Sequence, residues 1–324
     1  MKINYIILKE DKNQQLKNIL KNKLYISSVL LTKLKKFKCI TVNEKIVFTN
    51  YIVKENDTIC VDLTSLETEH KFEDKFKLVN KPLDILYEDE YLLIVNKPSN
   101  MPIHPSSKNY ENTLSNIVAN YLKKQQIYNI HIVTRLDHNT TGICIFAKNS
   151  YIQELFVRKK HIINLQKWYL AVVNGIMTKK HDIINLPISR KENTIILREV
   201  NEKGDVAKTE YYVEKINKRK NFSIINILLH TGRTHQIRVH MSYIGHTLLG
   251  DDLYAKEQNV LNIDKYIEFM HMDVDTYRIF GVYSVMQIFL HAILHLALNK
   301  LYYKEENKKA NRISVVFNLI NFVS

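Results

Sequence analysis

Cysteine is scarce: Cys39, Cys60 and Cys144 are the three in 324 residues, far apart, with no Cys-x-x-Cys pair and no His at ligand spacing. That excludes a disulfide framework and the common zinc sites, and leaves three thiols that suit small buried hydrophobes of a reducing compartment. Glycine and proline are also few, seven and five, and neither a low-complexity tract nor an internal repeat interrupts the chain. No nucleotide-binding or metal-binding motif is present, so neither cofactor nor metal is expected. The opening residues, MKINYIILKEDKNQQ, turn charged after a short apolar run and show no cleavage site. No secretory leader is expected, and a cytoplasmic location is. One long apolar run exists: residues 279–298, IFGVYSVMQIFLHAILHLAL, carry no Lys, Arg, Asp or Glu and are long enough to cross a bilayer. Gly281, Gln287, His291 and His295 would be costly or disruptive there. A buried strand and helix are expected instead, without membrane association.

Acidic residues are outnumbered, 33 against 47 Lys and Arg, giving a net charge of +14. Such a surplus attracts a polyanion, nucleic acid before all. Hydrophobic residues at 45% and charged residues at 25% are ordinary for a globular chain, and 324 residues suit two domains.

The charge is uneven. Residues 1–63 hold twelve Lys and no Arg against six acidic residues, a surplus of six. Leu16, Ile19, Leu20 and Leu24 recur at helical spacing, and Ser27 or Ser28 can cap a second helix lined by Leu30, Leu31, Leu34 and Phe37. Around that apolar stripe sit Lys33, Lys35, Lys36 and Lys38, which alone would suit a solvated helix face and together are candidate RNA contacts. The stretch CITVNEKIVFTNYIVKENDTICVDL then reads as short strands with turns at Asn43-Glu44 and Glu55-Asn56-Asp57. This order of helices and strands resembles the RNA-binding module of small-subunit ribosomal protein S-four, also called the alpha-L motif. Two glycines usual in that module are replaced by Glu44 and Asn56.

Residues 64–82 are charged and irregular and suit a linker. From 83 to 324 a second domain is expected, of α+β class on a mixed, mainly antiparallel sheet with flanking helices. Leu114 to Lys123 has helical spacing. KWYLAVVNG is apolar on both faces, as a central strand must be. INILLHTGRTHQIRVHMSYIGHTLLGDDLY gives a strand, a turn at Gly232, and a helix that stops at Gly245.

Three polar intrusions stand in these apolar surroundings. Asp137 precedes the buried run Ile143 to Ala147 in VTRLDHNTTGICIFAKN, Tyr169 lies within the central strand, and Arg233 and Arg238 flank a helix start. Each has a plain reading, as a turn former, a core aromatic and solvated basic residues. Together they offer a carboxylate, an aromatic platform and guanidinium groups, which suit handling a base on a phosphate backbone.

The motifs RLDHNTTG, KWYLAVVNG, TGRTHQIRVHMSYIGHTLLGDDLY and LYEDEYLLIVNKPSNMPIHPS, in this order, resemble the RluA/RluD family of pseudouridine synthases. The resemblance runs from about residue 16 to residue 254, with residues 255–324 poorly matched. Thr134 and Thr141 stand where relatives usually have His and Ser. It implies that Asp137 is the catalytic carboxylate, that Tyr169 packs on the target ring, that Arg238 pairs with Asp137, and that Arg135 helps displace the target from its helix. The implied activity is isomerisation of uridine to pseudouridine in RNA, ribosomal RNA of the large subunit foremost and transfer RNA as second candidate, by a monomer. Asp137 could act as nucleophile or base on the sugar or as nucleophile on the ring, and the sequence leaves these routes open. The competing reading is an RNA-binding or ribosome-assembly factor without turnover, which would have no use for Asp137, Tyr169 and Arg238 together.

Overall fold

The computed structural model describes residues 1–64, 77–105, 110–158, 166–255 and 282–284. Most of the 64–82 linker and nearly all of the 279–298 apolar run therefore lie outside the described residues. Among those described, no helix is long and apolar enough to cross a membrane.

The N-terminal region forms as its apolar spacing dictates. In α1 (Leu16–Asn22) Leu16, Ile19 and Leu20 are buried, and in α2 (Ser28–Lys36) Leu30, Leu31 and Leu34 are. Ser27 is the cap: its hydroxyl accepts the Leu30 N–H at 2.8 Å. Both helices pack on a four-stranded antiparallel sheet of order β1-β4-β2-β3, comprising β1 (Lys2–Ile6), β2 (Ile40–Val42), β3 (Lys45–Ile46) and β4 (Thr58–Asp62). β1 is an addition that the charged N-terminus concealed. Residues 47–54, expected as strand, are largely irregular, whereas the turn expected at Glu55-Asn56-Asp57 is present. Glu44 and Asn56, which stand at glycine positions of the resembling module, have φ of 65° and 67°. The backbone thus keeps the left-handed turns that glycine makes easily, at a modest cost for Glu44.

The larger sheet has the order β10-β13-β14-β9-β15-β8-β6-β5, with β7 paired on β8. Its members are β5 (Ile85–Glu88), β6 (Leu92–Lys97), β7 (His131–Ile132), β8 (Thr140–Ala147), β9 (Lys167–Asn174), β10 (His181–Asn185), β13 (Lys208–Asn217), β14 (Phe222–Leu229) and β15 (Val282–Ser284). A small hairpin, β11 (Ile188–Arg190) with β12 (Arg198–Val200), stands apart. All pairings in the large sheet are antiparallel except β15 with β8, so the mixed, mainly antiparallel sheet is found, with β9 central.

Strand alternation sends side chains to two faces. Leu93, Val95, Cys144, Phe146, Tyr169, Ala171 and Ile227 share a core with α3 (Leu114–Lys123) and with Ile237 and Met241 of α5 (Gln236–Tyr243). Leu92, Ile94, Ile143, Ile145 and Ala147 point the other way, into a core containing Tyr151, Ile152, Leu155 and Phe156 of α4 (Ser150–Arg158). That second core is continuous with the interior of the N-terminal region, including Leu16, Leu20, Leu24 and Leu34. The Tyr151 hydroxyl donates to the Leu24 carbonyl at 2.9 Å, and the Ser27 hydroxyl donates to Glu154 at 2.6 Å. The Lys-rich region is therefore bolted to the back of the sheet by shared apolar packing, the strongest non-directional attachment available to it.

Candidate active site

On the sheet's other side lies an open cleft of about 370 Å³ whose lining includes Arg135, Asp137, Tyr169, Arg233 and Arg238. The site residues expected of the second domain thus converge from three segments far apart in sequence. Lys33, Lys35, Lys36 and Lys38 lie in the N-terminal region, exposed and outside this cleft.

Asp137 sits on the loop between β7 and β8, half-buried. Its backbone does make the expected turn, the Asp137 carbonyl accepting the Thr140 N–H at 3.1 Å. Its carboxylate does not stabilise that turn, and has no hydrogen bond or ion pair among the described residues. The loop is held by other means. Lys97 is fully buried and its Nζ donates to the carbonyls of Pro98, Met101 and His138 at 2.8, 2.8 and 3.0 Å. The Met101 N–H donates to the same His138 carbonyl at 3.1 Å, and the Ser99 hydroxyl donates to the Asn139 carbonyl at 3.0 Å. On the other flank the Thr134 hydroxyl accepts the Ile145 N–H at 3.0 Å. Burial pulls the Lys97 ammonium down to about 8, with the Cys144 thiol and the Asp137 carboxylate acting in the opposite direction. The loop's order thus comes from backbone contacts, which leaves the Asp137 carboxylate available for other use.

Tyr169 is 8% exposed on the cleft face of β9. Its phenol is pushed well above the usual range, by burial first and then by the neighbouring Asp137 carboxylate, so it stays protonated. The cleft thereby joins a free carboxylate to a neutral aromatic alcohol.

For Arg238 the structure corrects the sequence reading, which pairs it with Asp137. Its Nε and a terminal nitrogen donate to the two carboxylate oxygens of Asp251 at 2.8 and 2.5 Å, and Asp252 lies at 3.5 Å. Both members of the main pair are largely buried, with side chains 11% and 1% exposed. The fork of a guanidinium matches a carboxylate presented edge-on. Asp251, whose Oδ1 also accepts the backbone N–H groups of Leu253 and Tyr254, is fixed in that attitude. The Arg238 guanidinium also lies 5.0 Å from the centre of the Tyr254 ring. It remains close enough to Asp137 for the two charges to favour each other. Arg135 is exposed at the cleft, and Arg233 donates to the Val206 carbonyl at 3.0 Å with Asp205 at 3.4 Å.

The cleft also contains His104, Lys167 and His235, none of which the sequence reading singled out. A signal for Lys97 did exist: it continues the inward alternation Leu93, Val95, Lys97, and a charge on a core face needs a purpose. Asp251 stood within the GDDLY motif without a role.

Comparison with known proteins supplies the context. The sequence pattern of the family described as RNA pseudouridylate synthase matches residues 91–243, which include Asp137, Tyr169 and Arg238. The uncharacterized RNA pseudouridine synthase YhcT of Bacillus subtilis is 33% identical over 258 residues, 79% of this chain and 84% of that protein. A second uncharacterized RNA pseudouridine synthase of Bacillus subtilis, YjbO, is 36% identical over 215 residues, 66% and 74% of the two chains. Ribosomal large subunit pseudouridine synthase D of Haemophilus influenzae is 37% identical over 184 residues, 56% of each chain.

Proposed function

The chain belongs to the RNA pseudouridylate synthase family, and from that premise we propose that it isomerises uridines of large-subunit ribosomal RNA with Asp137 as the catalytic carboxylate. The observation that carries this reading is the Asp137 carboxylate itself, unpartnered among the described residues, in a cleft with Tyr169 and three Arg. A turn-forming Asp would spend its oxygens on the backbone. The ribosomal substrate is supported by the likeness to the Haemophilus influenzae enzyme, whose name states it.

The reaction breaks the bond between ring N1 and the ribose, turns the held uracil, and joins ring carbon 5 to the same sugar carbon. Carbon 5 loses a proton and N1 gains one, so the product is an isomer. Asp137 supplies the negative group that attacks or deprotonates. Tyr169 provides a face against which the detached ring is held; because its phenol stays protonated, the carbon 5 proton needs another acceptor, and the Asp137 carboxylate, free again once the new bond has formed, is at hand for it. Arg238, anchored on Asp251, adds positive charge beside Asp137 without neutralising it by contact. Arg135, at the exposed cleft, suits occupation of the gap left when the target leaves its stack. The decisive experiment incubates the purified protein with in vitro transcripts of large-subunit ribosomal RNA and of transfer RNAs and maps pseudouridine chemically in both. Modification at a few defined uridines is the expected result, and modification of transfer RNA alone would move the substrate.

The N-terminal region, in this reading, is an alpha-L RNA-binding module that delivers the helix-borne Lys run to the phosphate backbone. Its support is the helix pair, the small sheet and the exposure of Lys33, Lys35, Lys36 and Lys38. Deleting residues 1–63 would bare the back of the catalytic sheet, so substitution is the cleaner test. Converting all four Lys to Gln should weaken RNA binding and flatten the slope of log affinity against log salt by up to about 3, at roughly 0.7–0.9 per lost phosphate contact. An unchanged slope would place the RNA path elsewhere.

A further inference from the structure

His235 occupies the N-cap position of α5, yet its side chain makes no capping bond, and its backbone is left-handed, with φ of 56°. A residue that neither caps its helix nor relaxes its backbone is held there for another purpose. His235 lines the cleft, and its Nδ1 lies 2.8 Å from the Tyr254 hydroxyl. The Tyr254 oxygen already accepts the Arg198 N–H at 2.9 Å. Were Nδ1–H to donate to it as well, the phenol proton would have no acceptor among the described residues. The satisfied arrangement has the Tyr254 O–H donating to Nδ1, which puts the imidazole proton on Nε2. The two rings meet edge to face, 84° apart with centres at 5.6 Å, which further fixes the imidazole.

We propose that His235, as the neutral Nε2–H tautomer set by Tyr254, donates a hydrogen bond to a carbonyl oxygen of the target uracil and so distinguishes uracil from cytosine. The inference rests on the reading of the cleft as the isomerisation site. Uracil carries C2=O and C4=O symmetrically about the line through N3 and C6. Turning the ring about that line, as the isomerisation requires, exchanges the two oxygens and exchanges N1 with carbon 5. One fixed donor therefore meets an acceptor before and after the turn. Cytosine would present an amino group in one of the two orientations, donor against donor, and a site built for an acceptor rejects such a partner strongly. Burial and the nearby Arg238 and Arg198 hold the imidazole below its ordinary range against the pull of Asp137 and Asp251, in keeping with a neutral donor.

The test uses His235→Gly, which suits a φ of 56° and so spares the fold, and His235→Gln, which restores a donor near the Nε2 position. Transcripts of large-subunit ribosomal RNA are made with uridine, 2-thiouridine or 4-thiouridine, the sulfur being the weaker acceptor. Single-turnover rates are read by chromatography of the digested nucleosides, and thermal melts and RNA affinity are measured alongside. For uridine RNA, His235→Gly should be slower by roughly 10-fold to 100-fold with near-parental affinity, and His235→Gln should recover part of the rate. The parent should be slowed by the thio-substitutions, and His235→Gly should lose that sensitivity. Unaltered thio-sensitivity in His235→Gly, as a phosphate contact would give, overturns the carbonyl assignment. A parent that makes no pseudouridine in the transcript overturns the ribosomal substrate itself, whereas an active parent matched by His235→Gly overturns only the role of His235.

Discussion

Asp137→Asn should abolish pseudouridine formation, by about 10⁴-fold or more, while RNA affinity changes by less than about 3-fold. Asn keeps the size and shape of the side chain and removes the charge that either chemical route needs. The loop around it should survive, because it is held by Lys97, Ser99 and Thr134 and not by the Asp137 carboxylate. Tritium release from RNA labelled at uridine carbon 5 reports turnover, and filter binding reports affinity. Sustained multiple turnover by the Asn variant would remove Asp137 from the chemistry. Loss of binding in step with activity would mean that the carboxylate orders the cleft and does not act on the nucleotide.

Arg238→Ala should be the most destabilising single change among the cleft residues. It strands the Asp251 carboxylate, whose side chain is 1% exposed. Removing one member of such a buried pair costs about 3–5 kcal/mol, because the remaining charge keeps its desolvation penalty and loses its partner. Adding Asp251→Asn to Arg238→Ala should recover part of that loss, since the amide oxygen can still accept the Leu253 and Tyr254 N–H groups while the charge is gone. Activity should not return with stability, because the positive charge beside Asp137 is absent from both variants. Urea melts of the two single variants and the double variant give the coupling directly. Independent, additive effects would refute the Arg238–Asp251 pairing, and full recovery of activity in the double variant would make Arg238 purely structural.

Much of the site was legible because its chemistry breaks local rules. A carboxylate before a buried run, a Tyr in a two-faced strand and basic residues at a helix start are exceptions to patterning, and exceptions show in a sequence. The bounds of α3 and the central place of β9 followed equally from periodicity and from apolar character on both faces.

Partnership was not legible. The sequence reading pairs Arg238 with Asp137, and only the tertiary structure brings in Asp251, because a guanidinium pairs by orientation and backbone N–H groups hold Asp251 edge-on. The same holds for His235, whose tautomer depends on Tyr254, 19 positions away, and on Arg198, which bonds Tyr254 from 56 positions away. The attachment of the N-terminal region was hidden for a different reason. An apolar helix stripe looks the same whether it covers its own sheet or shares a core with a neighbour, and residues 64–82 read as a linker in either case. Sequence determined which residue types this protein has available for acting on RNA, since composition and periodicity are local properties of the chain. Which carboxylate stays free, which is spent on a guanidinium, and which imidazole nitrogen carries the proton depend on angles and distances between segments, and those exist only once the chain has folded.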